Sequence, residues 1–276
     1  MSRPRVIKEK DWWKEGFSAH DLVADADVYF DTSMAEKEIS SMMGFLKDVF
    51  GFSPMAALDI CCGAGRHVSV LKRHIPYVIG LDYSSEFLKA GMERDFSDKL
   101  IRGNGHNLPL RSASFDLVTC LGNSLGYGKR GNDRMLASEA SRVSRKGGYV
   151  VINATDPAYC RETLQPTAAY EYETPKGRIV DLYQRKIQHD NLLRCKQTTI
   201  KDGQKVRILN YRIRLFEDRD MVQLGEHAGI ECVGRIRSRD IYGEAEEGTI
   251  GAMANSNFYI FRKTVDVQYD NIRTLE

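Results

Sequence analysis

The chain has 276 residues, 42% of them hydrophobic and 28% charged, which suits one large α/β domain with a subdomain inserted and excludes wholesale disorder. A formal net charge of +2 provides no whole-molecule field that would argue for nucleic acid. No apolar run approaches the roughly 20 residues that cross a bilayer, and the basic amino terminus has no hydrophobic stretch behind it. The six cysteines lack disulfide or CxxC spacing, so reduced thiols and a cytoplasmic location are expected.

Residues 1–32 read as an aromatic arm or lid, with Trp12, Trp13, Phe17, Tyr29 and Phe30 set among aspartates. Ser33 and Glu36 have the spacing of a capping box, ahead of a helix whose Ile39, Met42, Met43, Leu46, Val49 and Phe50 share one face. An alternation of short apolar strands and helices follows. Strands are expected at 55–61, 77–82, 100–102, 115–121 and 149–153. Helices are expected at 67–74, from Ser84 or Ser85 to about 95, and from about 132 to a stop at Lys146-Gly-Gly148. Nearly all-apolar strands alternating with helices predict a mostly parallel sheet covered on both faces.

From 164 to 216 the rhythm becomes antiparallel, with turn signals at Pro175-Lys-Gly177, His189-Asp-Asn191 and Lys201-Asp-Gly203. The last of these is a hairpin signal. A helix over 218–228 and strands over 230–233 and 257–262 complete the α/β pattern. The expected organisation is therefore an arm (1–32), an α/β core (33–163), an inserted antiparallel β subdomain (164–216), a carboxyl-terminal completion of the core (217–263) and a tail (264–276). The fold class is Rossmann-like, with a seven-stranded, mostly parallel sheet and helices on both faces.

The segment Leu58-Asp-Ile-Cys-Cys-Gly-Ala-Gly65 is a strand leading through a glycine turn into a helix, which brings backbone close to a ligand at the helix start. A dinucleotide fingerprint needs a third glycine where Val68 stands, which argues against a nicotinamide oxidoreductase. Asp82 ends the next strand 17 residues after Gly65, where a carboxylate can accept from both ribose hydroxyls. Gly103-Asn-Gly-His-Asn-Leu-Pro-Leu110, Phe115-Asp116 and Arg142-Val-Ser-Arg-Lys-Gly-Gly148 follow in order. On these marks residues 56–153 resemble the class I S-adenosylmethionine-dependent methyltransferases.

The resemblance implies S-adenosylmethionine as cofactor. It assigns Cys61, Gly63 and Gly65 to the methionine part, Asp82 to the ribose, Tyr83 to the adenine face, and Asn104 and Gly105 to the adenine edge. Asn104 departs from the aspartate usual at that position, and Leu121 closes the strand beside the methyl. Asp59 serves the cofactor or ties down its loop. His67 reads as a helix-start residue. Cys61 and Cys62, adjacent on a strand, face opposite ways, so no metal is expected.

Methyl transfer from a sulfonium is an in-line displacement that needs a base only when the acceptor arrives protonated. Leu121-Gly-Asn-Ser-Leu-Gly-Tyr-Gly128 lacks the Pro-Pro sequence of enzymes acting on amide or ring amino nitrogens. It resembles small-molecule N-methyltransferases of the amino-sugar and glycine types. Candidate acceptor-positioning residues are Tyr29, Asn123 and Tyr127; Tyr127 can instead pack, and Asn123 can cap its turn. The Trp12–Trp13 pair closes over the sulfonium or packs as an arm. Eleven basic residues between Lys176 and Arg214 face only Asp181, Asp190 and Asp202. They form a solvated strand face or meet an anionic small molecule. Interleaved aromatics are too sparse for RNA to be favoured.

The leading expectation is methyl transfer to N or O of a small molecule, with an anionic one allowed. The alternatives are a methyltransferase acting on tRNA or a protein side chain, and a non-catalytic cofactor-binding regulator. No membrane partner is expected, and a homodimer is left open.

Overall fold

The computed structural model describes residues 4–9, 12–16, 30–174, 177–243 and 256–264. Tyr29, Phe17, Pro175 and Lys176 lie outside the described residues.

The α/β part begins with helix α2 (Ser33–Phe50), following a short strand β1 (Arg5–Ile7) and a short helix α1 (Trp12–Gly16). The chain then alternates through β2 (Ala56–Ile60), α3 (Arg66–Leu71), β3 (Tyr77–Asp82), α4 (Ser85–Glu93), β4 (Leu100–Arg102), β5 (Phe115–Cys120), α5 (Arg130–Val143) and β6 (Ser144–Thr155). After the smaller sheet, α7 (Asp218–His227), β11 (Glu231–Arg237), α8 (Ser238–Tyr242) and β12 (Ser256–Arg262) close the larger one. Its strand order is β11-β12-β6-β5-β2-β3-β4. The pairs from β6 through β4 are parallel, and β12 and β11 add antiparallel strands at one edge.

Both faces are covered, as near-continuous apolar strands require. Ile39, Met42 and Leu46 of α2 and Leu71 of α3 pack on one face; Leu136, Ala140 and Val143 of α5 and Leu224 of α7 pack on the other. The seven-stranded Rossmann-like core expected from the alternation is present.

Between α6 (Pro157–Thr163) and α7 lies a second sheet built from β7 (Thr167–Thr174), β8 (Gly177–Ile187), β9 (Leu192–Lys201) and β10 (Gln204–Arg214). These four strands are antiparallel, and β1 joins parallel to β10 as a fifth. Lys201 pairs with Gln204 across Asp202 (φ 47°) and Gly203 (φ 77°). Two consecutive positive φ values are what a tight type I′ hairpin needs.

Three local expectations require correction. Ser33 does not cap α2. The start moves to Thr32, and Asp31 accepts both the Ser33 N–H and its hydroxyl at 2.8 Å. Helix α5 ends at Val143 instead of at the Lys146-Gly-Gly148 turn, because Ser144 already pairs with Phe115. Gly147 (φ 78°) sits in the irregular stretch before Tyr149 pairs with Leu117. The basic insert is also not uniformly a solvated face. Arg207 is buried and donates to the Gly16 carbonyl at 3.2 Å, while Arg214 pairs with Asp133 across the boundary between the sheets.

Candidate functional site

The carboxyl ends of β2, β3, β4 and β5 meet at one edge of the larger sheet, where an open α/β sheet offers a crevice. The β2–α3 loop is shaped by left-handed backbone at Cys61 (φ 59°), Gly63 (φ 57°) and Gly65 (φ 89°). A side chain at Gly65 would also press on Leu100 at 3.0 Å. The Gly63 N–H donates to Asp82 Oδ2 and the Ser84 N–H to Asp82 Oδ1, both at 2.8 Å. The carboxylate is thereby held at the end of β3, with lone pairs left over for hydroxyl donors. Burial pushes the Asp82 carboxyl up, opposed by the N–H groups of Ser84, Gly63 and Tyr83.

A cleft with about 750 Å³ of empty space, part of it open to solvent, lies at this edge, within the range of small-ligand sites. One half of its wall is Cys61, Leu81, Asp82, Tyr83, Asn104, Gly105 and His106. The other half is Ser124, Tyr127, Gly128, Asn132 and Asp133, with Trp13 and Lys14 of α1 at the mouth. Six of the residues singled out from the sequence (Cys61, Asp82, Tyr83, Asn104, Gly105 and Tyr127) therefore meet on one wall.

Others do not reach it. Asp59 is buried behind the loop, accepting the Thr119 hydroxyl at 2.7 Å, and burial pushes its carboxyl up to about 6. Leu121 is buried in the core of the α2–α3 face. Asn123, in left-handed backbone (φ 60°), accepts the Ser256 hydroxyl at 2.7 Å, and its N–H donates to Asn153 Oδ1 at 2.6 Å. Its side chain joins the sheet edge behind the cleft instead of lining it. Asn104 does line the cleft, but its Oδ1 accepts the His106 N–H at 3.0 Å, so the amide oxygen is partly engaged in its own turn.

Cys61 and Cys62 face opposite ways, Cys61 against the α5–α7 face and Cys62 in the α2–α3 face. The hydrogen bond it shares with Cys120, followed by burial, pushes the Cys61 thiol well up, which leaves a protonated, unreactive wall residue at neutral pH.

His67 is more than a helix-start residue. It shares a 2.6 Å hydrogen bond with buried Glu38, whose other oxygen accepts from the Tyr242 hydroxyl at 2.6 Å. Burial alone would raise the Glu38 carboxyl; the His67 hydrogen bond and charge outweigh it and hold it low. The pair ties α2 and α8 to the start of α3, behind the glycine loop.

The tryptophan pair singled out in the sequence divides its contacts, and a loop clamp missed there comes from a distant helix. Helix α1 lays Trp13 edge-on to Tyr83 (centroids 5.3 Å) and His106 (6.2 Å), while Trp12 packs on Tyr127 and Tyr211 at 4.7 Å each. Arg142 holds the 104–112 loop by donating to the carbonyls of Leu110 (2.9 Å) and Leu108 (3.1 Å). Glu139 accepts the Leu108 N–H at 2.6 Å. The Arg142 mark was visible in the sequence, but its task as a loop clamp was not.

Comparison with known proteins agrees with this geometry. A sequence profile of the methyltransferase domain family matches residues 58–152, the span from the glycine loop through β6. That span, which holds the glycine loop and Asp82 as described, is thus similar to the methyltransferase domain family. The demethylmenaquinone methyltransferase of Staphylococcus aureus strain MRSA252 is 35% identical over 130 residues, which are 44% of this chain and 48% of that protein. The chain thus spans about half the length of the curated relatives it matches.

Among solved structures, the CcbJ methyltransferase from Streptomyces caelestis has a TM-score of 0.66 at 19% identity, covering 90% of this chain and 98% of that one. The S-adenosylmethionine-bound amino pentose methyltransferase CalS10 from Micromonospora echinaspora has a TM-score of 0.61 at 17% identity, covering 83% and 91%. These structural likenesses establish the fold. S-adenosylmethionine is the cofactor of the family. Among the described residues no helix is long and apolar enough to cross a membrane.

Proposed function

We propose that this methyltransferase moves a methyl group from S-adenosylmethionine to a nitrogen or oxygen of a small molecule bound between the 121–128 loop and the smaller sheet. The observation that carries the reading is the two-part cleft. One half presents the Asp82 carboxylate, Tyr83 and Gly105 to a nucleoside, and the other presents Ser124, Tyr127 and Asp133. A cleft lined by Trp13 and Lys14 of α1 suits a compact acceptor better than a folded macromolecule. The relatives named above act, by their names, on a quinone precursor and an amino pentose, both small molecules.

The roles follow from position. Gly63 and Gly65 let the backbone approach the methionine part, with Cys61 on the adjoining wall. Asp82 accepts from the ribose hydroxyls, Tyr83 lies along the adenine, and Asn104 and Gly105 meet its edge. Asp59 and Leu121 act from behind, fixing the loop and the end of β5. Asn123 holds the turn that presents Ser124 and Tyr127. When bound, S-adenosylmethionine supplies a methyl group made electrophilic by the sulfonium. The chain's task is to hold the acceptor in line and exclude water, an effect that alone supplies much of such a rate. Trp13 at the mouth does the excluding.

Calorimetric titration with S-adenosylmethionine, S-adenosylhomocysteine and NAD tests the reading. Micromolar binding of both sulfur compounds and none of NAD is expected; failure to bind either sulfur compound overturns it.

A further inference from the structure

Among the described residues two carboxylates line the cleft, Asp82 and Asp133. Asp82 belongs to the cofactor half, where backbone N–H groups orient both its oxygens. Asp133 stands in the other half, in the first turn of α5. Its Oδ1 accepts the Gly126 N–H at 3.0 Å, and its Oδ2 receives Arg214 of β10. The Arg214 N–H donates in turn to the Gly126 carbonyl at 3.0 Å. A side chain at Gly126 would strike the Arg214 carbonyl at 2.5 Å, and the backbone there is left-handed (φ 89°). Loop, helix and smaller sheet thus converge on this one carboxylate and fix its place.

A pair that only joined the two sheets would be sealed from the cleft; this carboxylate is on its wall. Each oxygen has one donor and keeps a second lone pair. Resting on the methyltransferase reading above, we infer that Asp133 is the carboxylate that receives the acceptor and takes its proton, and that the acceptor is an amine arriving as an ammonium ion.

An ammonium cannot attack a methyl group, because its lone pair is held by the proton. Asp133 as carboxylate attracts the cation and accepts that proton onto an oxygen. The freed nitrogen pair then forms the new C–N bond as the methyl–sulfur bond breaks with its electrons going to sulfur. The proton leaves to solvent afterwards. The Asp133 carboxyl is suited to this. Burial pushes it up to about 6, against the opposing pull of Arg214, the Gly126 N–H and Arg130, so it is ionised yet basic near neutral pH. Across the cleft stand Lys14 and His106. The imidazole is kept neutral by burial and by Lys14, and it lies on the cofactor side against Trp13.

The test uses the full chain loaded with S-adenosylhomocysteine, titrated with a panel of amines, each beside its hydroxyl isostere, with glucosamine and glucose as one pair. The same panel is then assayed for methyl transfer from labelled S-adenosylmethionine. Amines are expected to bind and be methylated where the isosteres are not. Asp133→Asn retains an acceptor for the Gly126 N–H but cannot take a proton. It is expected to lose amine binding and about 100-fold or more in kcat/KM, with cofactor affinity within twofold.

In the wild type kcat/KM falls below about pH 6, the range to which burial raises Asp133. Arg214→Gln, which leaves Asp133 in place, shifts that limb to higher pH, a shift that a merely structural pair would not cause. Methyl transfer to hydroxyls only, transfer to no amine, or an Asp133→Asn variant that keeps its amine binding and acidic limb overturns the inference. If the cofactor binds and these fail, the methyltransferase reading stands; if the cofactor does not bind, both fall.

Discussion

The two halves of the cleft are made in different ways. The cofactor half comes from β2, β3, β4 and the loops directly after them, so its groups are neighbours along a regular parallel sheet. Asp82 reaches Gly63 because β3 lies beside β2 in register, Leu81 opposite Ile60. The acceptor half is assembled from segments remote in sequence. Trp12 meets Tyr211, Arg214 meets Asp133, and Asn123 meets Ser256. On the function proposed above, the first half is a property of the fold class and serves any acceptor. The second depends on how the smaller sheet and α1 dock, and it carries whatever specificity the protein has.

The largest expected effect strikes the acceptor half. Trp12→Ala removes a buried ring that anchors α1 on β10 and should cost about 3 kcal/mol or more in urea denaturation. The chain's only tryptophans are Trp12 and Trp13, so emission is expected to change when wild type binds S-adenosylhomocysteine. The response should fade in the Trp12→Ala protein, whose Trp13 is no longer held at the mouth. An undiminished response would mean that α1 stays in place without this anchor.

Asp59→Asn is next. The Asp59 carboxyl is raised from 3.8 to about 6, so between these values the folded chain holds the proton more tightly than the unfolded one. Its contribution to stability is lost as pH rises through that window. The variant should be more stable at pH 7.5, by on the order of 2 kcal/mol, with a flatter pH profile in calorimetry. Cofactor affinity should be little changed, since Asp59 lies behind the wall; a large loss would bring it into the binding half.

Asp82→Ala should weaken S-adenosylmethionine binding at least tenfold, about 1.4 kcal/mol, by calorimetric titration. Unchanged affinity would put the ribose elsewhere. The smallest effect is expected for Ser84→Ala. Ser84 caps α4 by accepting the Phe87 N–H, so about 1 kcal/mol of stability should be lost while binding persists.

Much of the larger sheet was legible because buried parallel strands are short apolar runs and their helices keep one apolar face. The glycine loop was legible because its left-handed turns demand glycine, and Asp82 and the 103–110 stretch because they end or follow the next two strands of the alternation. Asn123 was left between two readings, acceptor contact and turn cap, for a physical reason. Its left-handed backbone turns the amide toward Ser256, 133 residues away, and no local pattern announces that partner. The basic insert misled likewise, since charge along a strand does not say which arginine is turned inward. Arg207 and Arg214 answer to Gly16 and Asp133.

The sequence by itself determined the α/β alternation, the loop geometry that needs glycine, and the acid at the end of the second core strand. Each is a local demand, met within a strand, a turn or one crossover. Only the tertiary structure decided that Asp133 lines the cleft, that Trp13 and Lys14 of α1 line it too, and that Asp59 and Asn123 stand behind the wall. Those outcomes depend on which distant side chains satisfy one another's charge and hydrogen bonds once the two sheets have packed, and that choice is made in three dimensions.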